Sequence, residues 1–209
     1  ELSTTPHYHP LSPLLIDFNS TYDSLPDATL PSTPNYPGGR ERVAYHLELA
    51  KESHKQRFHS YPLGIWPAEG GLSKDFIEIL STCGFKWTAS GEGVLAGSLR
   101  KSYSNEQLPE RNQYLYRAYK VLTKNEEVIC FFRDDRLSDM IGFEYAKWYG
   151  RDAAENFVHS LEKIHQEVQH AENSVVTIIL DGENAWEFYP YNGYYFLDDL
   201  YEMVGNHSA

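Results

Sequence analysis

Short apolar runs that end at acidic residues alternate along this chain with segments of helical periodicity. The run "YPLGIWP" ends just before Glu69, "EVICFF" ends before Arg133 and Asp134, and "SVVTIIL" ends before Asp181. Apolar runs of this length, bounded by turn residues, are typical of buried strands. Strands that alternate with helices favour a parallel sheet, either closed as a barrel or open and doubly wound.

The segments between these runs carry helix and loop signals. Val43, Leu47 and Ala50 share one face of a predicted helix in "RERVAYHLELAKESHKQRF", and Ser73 is a candidate cap for a second helix that ends near Gly84. Further helices are predicted in "LSDMIGFEYAKW", "AAENFVHSLEKIHQEVQHA" and "GYYFLDDLYEMVG". "FKWTAS" is a predicted strand, "YLYRAYKVLT" and "EEVICFFRDD" are predicted to form a hairpin around "KNE", and "GEGVLAGS" and "DSLPDATLPSTPNYPGG" are predicted loops.

The charge and composition of the chain exclude some classes of function. A formal net charge of −12 at pH 7 argues against nucleic acid as a partner, because phosphate binding requires clustered Lys and Arg. No apolar run reaches the roughly 20 residues of a membrane helix, and we expect a cytoplasmic protein that binds no membrane. Cys83 and Cys130 lie in apolar stretches and are predicted to be buried thiols.

Carboxylates that directly follow buried strands suggest a catalytic function. A charged group in such a place is costly to desolvate unless a partner or substrate uses it. Glycoside hydrolysis requires two carboxylic acids on one sugar, because one protonates the leaving oxygen while the other attacks or supports the cationic transition state. Glu69 and Asp181, at the ends of different predicted strands, are therefore the candidate pair.

Four motifs in order give the chain a resemblance to a known family. "ELSTTPHYHPLSPLL", "GIWPAEGGLS", "FFRDDRLSDMIGF" and "ILDGENAWEFY" resemble glycoside hydrolase family 57, which includes α-amylases, amylopullulanases, branching enzymes and 4-α-glucanotransferases. The resemblance spans nearly the whole chain. It implies an α/β fold, an incomplete (β/α)7 barrel with parallel strands of the glycoside hydrolase/deacetylase type, and a retaining enzyme that acts on α-glucans such as starch, glycogen and maltooligosaccharides.

The same resemblance implies roles for individual residues. Glu69 would be the nucleophile and Asp181 the general acid/base, acting through a glycosyl-enzyme intermediate with no cofactor and no metal. In the retaining arrangement the two carboxyl groups lie about 5 to 5.5 Å apart. The expected substrate contacts are Glu1, His9, Trp66, Arg133, Asp134, Asp139, Glu183 and Trp186.

Several of these residues also have a purely structural interpretation. Trp66 and Trp186 could stack on sugar rings or belong to the core. Arg133 and Asp134 could form an ion pair with each other. Asp139 could cap the helix that follows it.

Two other functions stay open on the sequence alone. "HYH", from His7 to His9, has the His-x-His spacing of metal sites if it lies on a strand, and with Asp134 and Asp181 it would make a metal-dependent carbohydrate deacetylase or amidohydrolase. A non-catalytic segment that binds glucan through its aromatic residues is the other alternative.

Two parts of the family pattern have no counterpart in these 209 residues. They are the opening His-Gln-Pro motif, on the family's first strand, and the C-terminal helical region. We therefore expect residues 1–209 to be one catalytic domain that forms an internal portion of a barrel and could be inactive by itself. Its expected partners are the missing segments of the parent chain or, through an open sheet edge, a second copy.

Overall fold

The computed structural model describes residues 2–33, 35–103, 107–182 and 186–207. The chain divides into two compact units. Unit one comprises Glu1–Leu108 and Ala118–Phe132, and unit two comprises Pro109–Arg117 and Arg133–Ala209. The assignment of residues 1–209 to one catalytic barrel portion stays a prediction.

Unit one combines helices with a four-stranded sheet. Its α-helices are α1 (Ser12–Ile16), α2 (Gly39–Phe58), α3 (Lys74–Thr82) and α4 (Glu92–Ser102), and its short 3-10 helices are Phe18–Asp23 and Ala68–Gly70. Its strands are β1 (Gly64–Ile65), β2 (Trp87–Gly91), β3 (Tyr119–Leu122) and β4 (Glu127–Arg133), of which β4 ends one residue inside unit two.

The sheet has the strand order β1-β2-β4-β3 and mixes two kinds of pairing. Strands β1 and β2 are parallel, with Gly64 opposite Trp87, whereas β3 and β4 are antiparallel, with Leu122 opposite Glu127. The predicted hairpin is confirmed, and its antiparallel pair makes the sheet mixed, whereas the predicted fold had parallel strands. A short turn can join only antiparallel neighbours, because a parallel connection needs a crossover of a dozen or more residues.

The segment "SVVTIIL", predicted to be a buried strand, is half-buried or exposed and is not a strand; among the described residues its ladder is reduced to an isolated parallel bridge between Thr177 and Arg133. The Asp134 amide donates to the Thr177 carbonyl at 2.8 Å. Further along the segment, Ile179 forms its hydrogen bonds with side chains and not with the backbone of β4. The Ile179 amide donates to the Ser138 hydroxyl, and the Ile179 carbonyl accepts from Arg133 Nε at 2.9 Å.

Helix α4 corrects the prediction that "GEGVLAGS" is a loop. Gly93 and Gly97 lower the helix propensity of this segment by about 1 kcal/mol each relative to alanine. Leu95 and Ala96, however, are buried in the structure. Burial of an apolar face outweighs weak intrinsic propensity, so tertiary packing makes this segment helical.

The core of unit one forms where the apolar faces of α2 and α3 meet strand β1. The predicted face of α2 is buried, and the Ser73 hydroxyl caps α3 by accepting from the Phe76 amide at 3.2 Å, as its sequence indicates. The buried cluster consists of Val43, Leu47, Ile65, Phe76, Ile79, Leu80, Cys83 and Phe85.

Unit two is mainly helical and has an aromatic core. Tyr145, Tyr189 and Phe196 are buried there with ring centroids less than 6 Å apart in the Tyr145–Phe196 and Tyr189–Phe196 pairs. The predicted "LSDMIGFEYAKW" helix is a series of short α-, π- and 3-10 segments, whereas the two later helices are confirmed. The elements are α5 (Arg111–Tyr114), α6 (Asp135–Asp139), a π-helix (Met140–Glu144), 3-10 helices (Tyr145–Lys147 and Pro190–Gly193), α7 (Gly150–Val168) and α8 (Tyr194–Gly205).

Both cysteines are buried thiols, as predicted. Burial raises the pKa of the Cys83 thiol, at the end of α3, to about 11, and it raises the pKa of the Cys130 thiol, in β4, to about 11 as well. Within the described ranges no helix is both long enough and apolar enough to cross a bilayer. The cytoplasmic location stays a prediction.

Two glycine substitutions should have opposite effects on stability. An ideal Cβ on Gly64 would lie 1.8 Å from the Trp87 indole, so Gly64→Ala must displace a ring between paired strands. We expect Gly64→Ala to lower the free energy of unfolding by about 1–3 kcal/mol or more. Gly97→Ala, inside α4 with no atom within 4 Å of the added Cβ, should raise it by about 0.5–1 kcal/mol. Urea unfolding of both variants measures the difference, and equal effects would contradict the packing of β1 on β2.

Candidate active site

Glu69 lies on a tight turn, the 3-10 helix Ala68–Gly70, shortly after strand β1. Its backbone is left-handed (φ 53°, ψ 23°), an uncommon conformation for a residue other than glycine. The Gly70 amide donates to the Pro67 carbonyl and the Gly71 amide to the Ala68 carbonyl, each at 3.0 Å, so two overlapping turns hold the loop. The Glu69 side chain is 75% exposed. The turn therefore presents this carboxylate to solvent at the end of a buried strand.

The turn is held in place by Gly70 itself and by contacts with Trp66 and Ser90. Gly70 has φ 66° and needs to lack a side chain, because a Cβ there would lie 2.9 Å from the Trp66 ring. The Ser90 hydroxyl, at the end of β2, donates to the Gly70 carbonyl. The half-buried Trp66 indole thus packs against the loop that carries Glu69, and its predicted stacking on a sugar ring stays a prediction.

His9 lies beside Glu69. Its Nε2 atom is 3.6 Å from Glu69 Oε1, and its Nδ1 atom is 3.2 Å from the Thr5 hydroxyl oxygen. Tyr8 and His9 both have left-handed backbones, with φ of 63° and 53°, so "HYH" forms a turn and not the strand that the metal hypothesis assumed. In a turn the two histidine side chains no longer share a face.

The predicted metal ligands do not come together in the part of the chain that the structure describes. There, no group of three or more His, Cys, Asp or Glu side chains is arranged to hold a metal ion. The His7 ring instead packs edge-on against Tyr8, and its amide donates to the His46 carbonyl. No arrangement of described residues therefore favours the metal-dependent deacetylase alternative.

In unit two, Arg133 links two carboxylates to a backbone carbonyl. Its guanidinium donates to Asp135 at 2.8 Å and to Asp139 at 2.6 Å, in addition to the Ile179 carbonyl. Although burial lowers the Arg133 pKa, the hydrogen bonds that it donates to these carboxylates, and their negative charge, raise it overall. Asp139 is therefore an ion-pair partner of Arg133 and, contrary to one interpretation of the sequence, makes no side-chain cap to the helix after it.

Asp134 is buried, with 1% of its side chain exposed. Its oxygens accept from Arg111 at 2.7 Å, from the Tyr116 hydroxyl at 2.8 Å and from the Leu137 amide at 2.9 Å, the last of which caps α6. Burial raises the pKa of this carboxyl, but the three donors outweigh burial and lower it below its usual value. The suggested ion pair between Arg133 and Asp134 is wrong, because Arg111 is the partner of Asp134.

Asp181 is exposed and lies shortly after Thr177, which bridges Arg133. The half-buried Trp186 packs on Tyr189 and Phe196, and a Cβ on Gly193 would lie 2.8 Å from its ring. Trp186 thus contributes to the aromatic core of unit two. Glu1 and Glu183, two of the predicted substrate contacts, lie outside the described residues.

The structure therefore brings together His9, Trp66 and Glu69 in unit one, and Arg133 with Asp139 in unit two. The contacts of His9, Trp66, Arg133, Asp134, Asp139 and Trp186 with substrate stay predictions. Sequence reasoning missed Thr5, Arg111 and Tyr116. Arg111 lies 23 residues from Asp134 in a polar stretch without periodicity, and no local pattern identifies it as the partner of a buried acid.

Comparison with known proteins identifies the family of this chain. The sequence model of glycosyl hydrolase family 57 matches residues 1–209. The chain belongs to this family. No curated protein is a significant match to it.

Solved structures with a similar fold include two carbohydrate-active enzymes. The chain is similar to the 4-α-glucanotransferase from Thermococcus litoralis, with a TM-score of 0.61 and 14% identity, over 100% of this chain and 26% of that chain. It is also similar to the α-amylase AmyC from Thermotoga maritima, with a TM-score of 0.58 and 17% identity, over 81% of this chain and 42% of that chain. The family 57 chain thus shares their fold and spans less than half the length of either protein.

Asp134 should make the stability of this family 57 protein depend on pH. Its lowered folded pKa means that its contribution is present above the unfolded pKa of about 4 and is lost as the pH falls through the folded value. Asp134→Asn should lower the free energy of unfolding by about 3 kcal/mol near pH 7, because Arg111 and Tyr116 lose their charged acceptor.

The difference between wild type and Asp134→Asn should narrow as the pH falls below about 4, as measured by urea unfolding at several pH values. Asp139→Asn is the matched control. Its carboxylate is 52% exposed, so the change should cost less than about 1 kcal/mol. Equal losses for the two variants would contradict the assignment of Asp134 as the buried partner.

Proposed function

We propose that this protein is a retaining glycosidase-type enzyme that acts on α-glucans through a glycosyl-enzyme intermediate. Membership of glycosyl hydrolase family 57 and the likeness to a glucanotransferase and an amylase support this proposal. The observation that carries it is Glu69, an exposed carboxylate on a left-handed turn at the end of a buried strand. Residues kept in strained backbone conformations cluster at functional sites.

Glu69 is the proposed nucleophile. One of its oxygens forms a bond to the anomeric carbon of the sugar while the bond from that carbon to the leaving oxygen breaks. The negative charge of the carboxylate is neutralised in the ester that results. The exposure of Glu69 supports this role because a sugar must reach the carboxylate.

Asp181 is the proposed general acid and base. In the first step it gives its proton to the leaving oxygen, and in the second it takes a proton from the molecule that attacks the ester. Its exposed position, shortly after the Thr177 bridge, supports contact with a sugar. The same intermediate yields hydrolysis when water attacks and glucan transfer when a sugar hydroxyl attacks, and we propose both as candidate reactions.

We further propose that the parallel pairings belong to an incomplete (β/α)7 barrel. In unit one, Thr4 pairs in parallel with Ile65 and β1 pairs in parallel with β2. In unit two, Thr177 pairs in parallel with Arg133 at the end of β4. Glu69 and Asp181 each follow one of these segments, and carboxyl ends of barrel strands are where catalytic residues of such enzymes lie.

Loss of the Glu69 carboxylate should abolish turnover without unfolding the protein. We expect Glu69→Gly to lower kcat by at least about 1000-fold, or ~4 kcal/mol, because the nucleophile is gone. Glycine also suits φ 53° better than glutamate, so the fold should be retained. Initial rates on maltooligosaccharides measure the loss, and added azide should restore turnover by forming a glycosyl azide of inverted configuration.

Glu172→Gln, which removes another exposed carboxylate, is the control and should leave kcat within about twofold of wild type. Glucan binding that persists in Glu69→Gly, together with no turnover in the wild type, would favour the non-catalytic binding segment instead. Turnover by Glu69→Gly within about tenfold of wild type would refute the nucleophile assignment.

Replacement of Asp181 should have an effect that depends on the leaving group. A good leaving group needs little protonation, so the loss in kcat/KM of Asp181→Ala should be at least about tenfold smaller on an α-maltosyl fluoride than on maltooligosaccharides. Parallel assays on the two substrates measure this ratio. An equal loss on both would show that Asp181 does not act as the general acid.

A further inference from the structure

We propose that His9 and Thr5 form a positioning pair that holds the carboxylate of Glu69 for attack on the sugar. This inference rests on the proposed role of Glu69 as nucleophile. His9 acts here through Glu69, which differs from the direct substrate contact that the family resemblance implies. Thr5 has no role assigned by the sequence or by the comparisons.

The geometry forms a chain of three side chains. The Thr5 hydroxyl lies 3.2 Å from His9 Nδ1, and His9 Nε2 lies 3.6 Å from Glu69 Oε1. One nitrogen of the His9 imidazole therefore contacts the Thr5 hydroxyl, and the other contacts the Glu69 carboxylate. Because one carboxylate oxygen faces the ring, the second oxygen, Oε2, is the one that attacks.

The carboxylate favours one tautomer of the neutral His9 ring, because its oxygens can only accept, whereas the Thr5 hydroxyl can either donate or accept. In that tautomer the proton is on Nε2, the nitrogen that faces Glu69, and the Thr5 hydroxyl donates to Nδ1. An N–H group then points at the negative charge, and a distance of 3.6 Å makes this an electrostatic contact that can shorten to a hydrogen bond. No proton moves along the three side chains, since the ring only orients the carboxylate.

The backbone is built to bring these residues together. Thr4 pairs with Ile65, which fixes the segment with Thr5 next to the strand that leads to Glu69. The His9 amide donates to the Pro6 carbonyl at 2.9 Å and closes the turn. Tyr8, His9 and Glu69 are all left-handed at this corner of unit one. Strain in two adjoining turns is a cost that a purely structural corner does not need.

The test compares the Thr5 and His9 variants by their effects on kcat and KM. His9→Ala should lower kcat about 10- to 100-fold, because a nucleophile that is misplaced by about 1 Å reacts that much more slowly. Thr5→Val keeps the shape but removes the hydroxyl, and should lower kcat about 3- to 10-fold. KM should stay within about twofold in both, since the pair contacts the enzyme's own carboxylate and not the sugar.

The leaving group provides the second readout. Nucleophile position matters for any leaving group, so the His9→Ala and Thr5→Val losses should be the same on an α-maltosyl fluoride as on maltooligosaccharides. Thr5→Ser, which restores the hydroxyl, should recover kcat to within about twofold of wild type. Thr4→Val, the same change one residue earlier, where the hydroxyl donates to the Thr5 carbonyl, is the matched control and should also stay within about twofold.

The outcomes separate this inference from the proposed function. If Glu69→Gly is inactive and rescued by azide while Thr5→Val and His9→Ala keep wild-type kcat, the positioning pair is refuted and the nucleophile stands. If Glu69→Gly stays active, the proposed function itself fails. Raised KM with unchanged kcat in His9→Ala would assign His9 to direct substrate binding and overturn its positioning role. Thermal unfolding of each variant verifies that the lost activity is not lost fold.

Discussion

Two backbone hydrogen bonds determine the position of the Glu69 carboxylate in unit one. The Thr4 amide donates to the Gly64 carbonyl at 3.2 Å, and the Trp66 amide donates to the Thr4 carbonyl at 2.8 Å. They fix the first segment of the chain alongside β1 in parallel register. The turn with His9 and the turn with Glu69 then leave the same edge of the sheet at the same level. The contact between the two side chains is thus a consequence of strand register, which allows a shift of only whole residues.

Unit two depends on a different interaction, the burial of a single carboxylate. Asp134 gathers the side chains of Arg111 and Tyr116 and the amide that begins α6, while its own backbone amide binds Thr177. A buried charge with fewer donors would be several kcal/mol less stable, so these donors act as a set. The neighbouring Arg133 is then directed outward to Asp139 and to the segment that leads to Asp181. A fully satisfied polar network of this kind favours one arrangement of its loops over others.

The sequence predicts what depends on periodicity and local caps. The α2 face with Val43 and Leu47, the Ser73 cap and the β3–β4 hairpin all follow from neighbouring residues, and each is present. Errors arose where contacts distant in sequence decided the conformation. Helix α4 forms because Leu95 and Ala96 are buried in the core, and the backbone of "HYH" is held at His7 by the distant carbonyl of His46. At the site, the Glu69 position was predictable from a strand that ends in a carboxylate, whereas Thr5 and Arg111 become partners only through the folded chain.

The two buried thiols, Cys83 and Cys130, can report local unfolding of unit one. With pKa values of about 11, Cys83 and Cys130 are almost entirely protonated at neutral pH, and a thiol reacts with electrophiles only as the thiolate. Cys83 lies at the end of α3 and Cys130 lies in β4, so one thiol reports on a helix and the other on the sheet of the same unit. The pKa of each thiol returns to its ordinary value only when local unfolding exposes the sulfur atom to water. The rates at which a small thiol reagent modifies the two sulfur atoms therefore measure how often unit one unfolds locally around each of them. A faster rate at one cysteine shows that its surroundings open first.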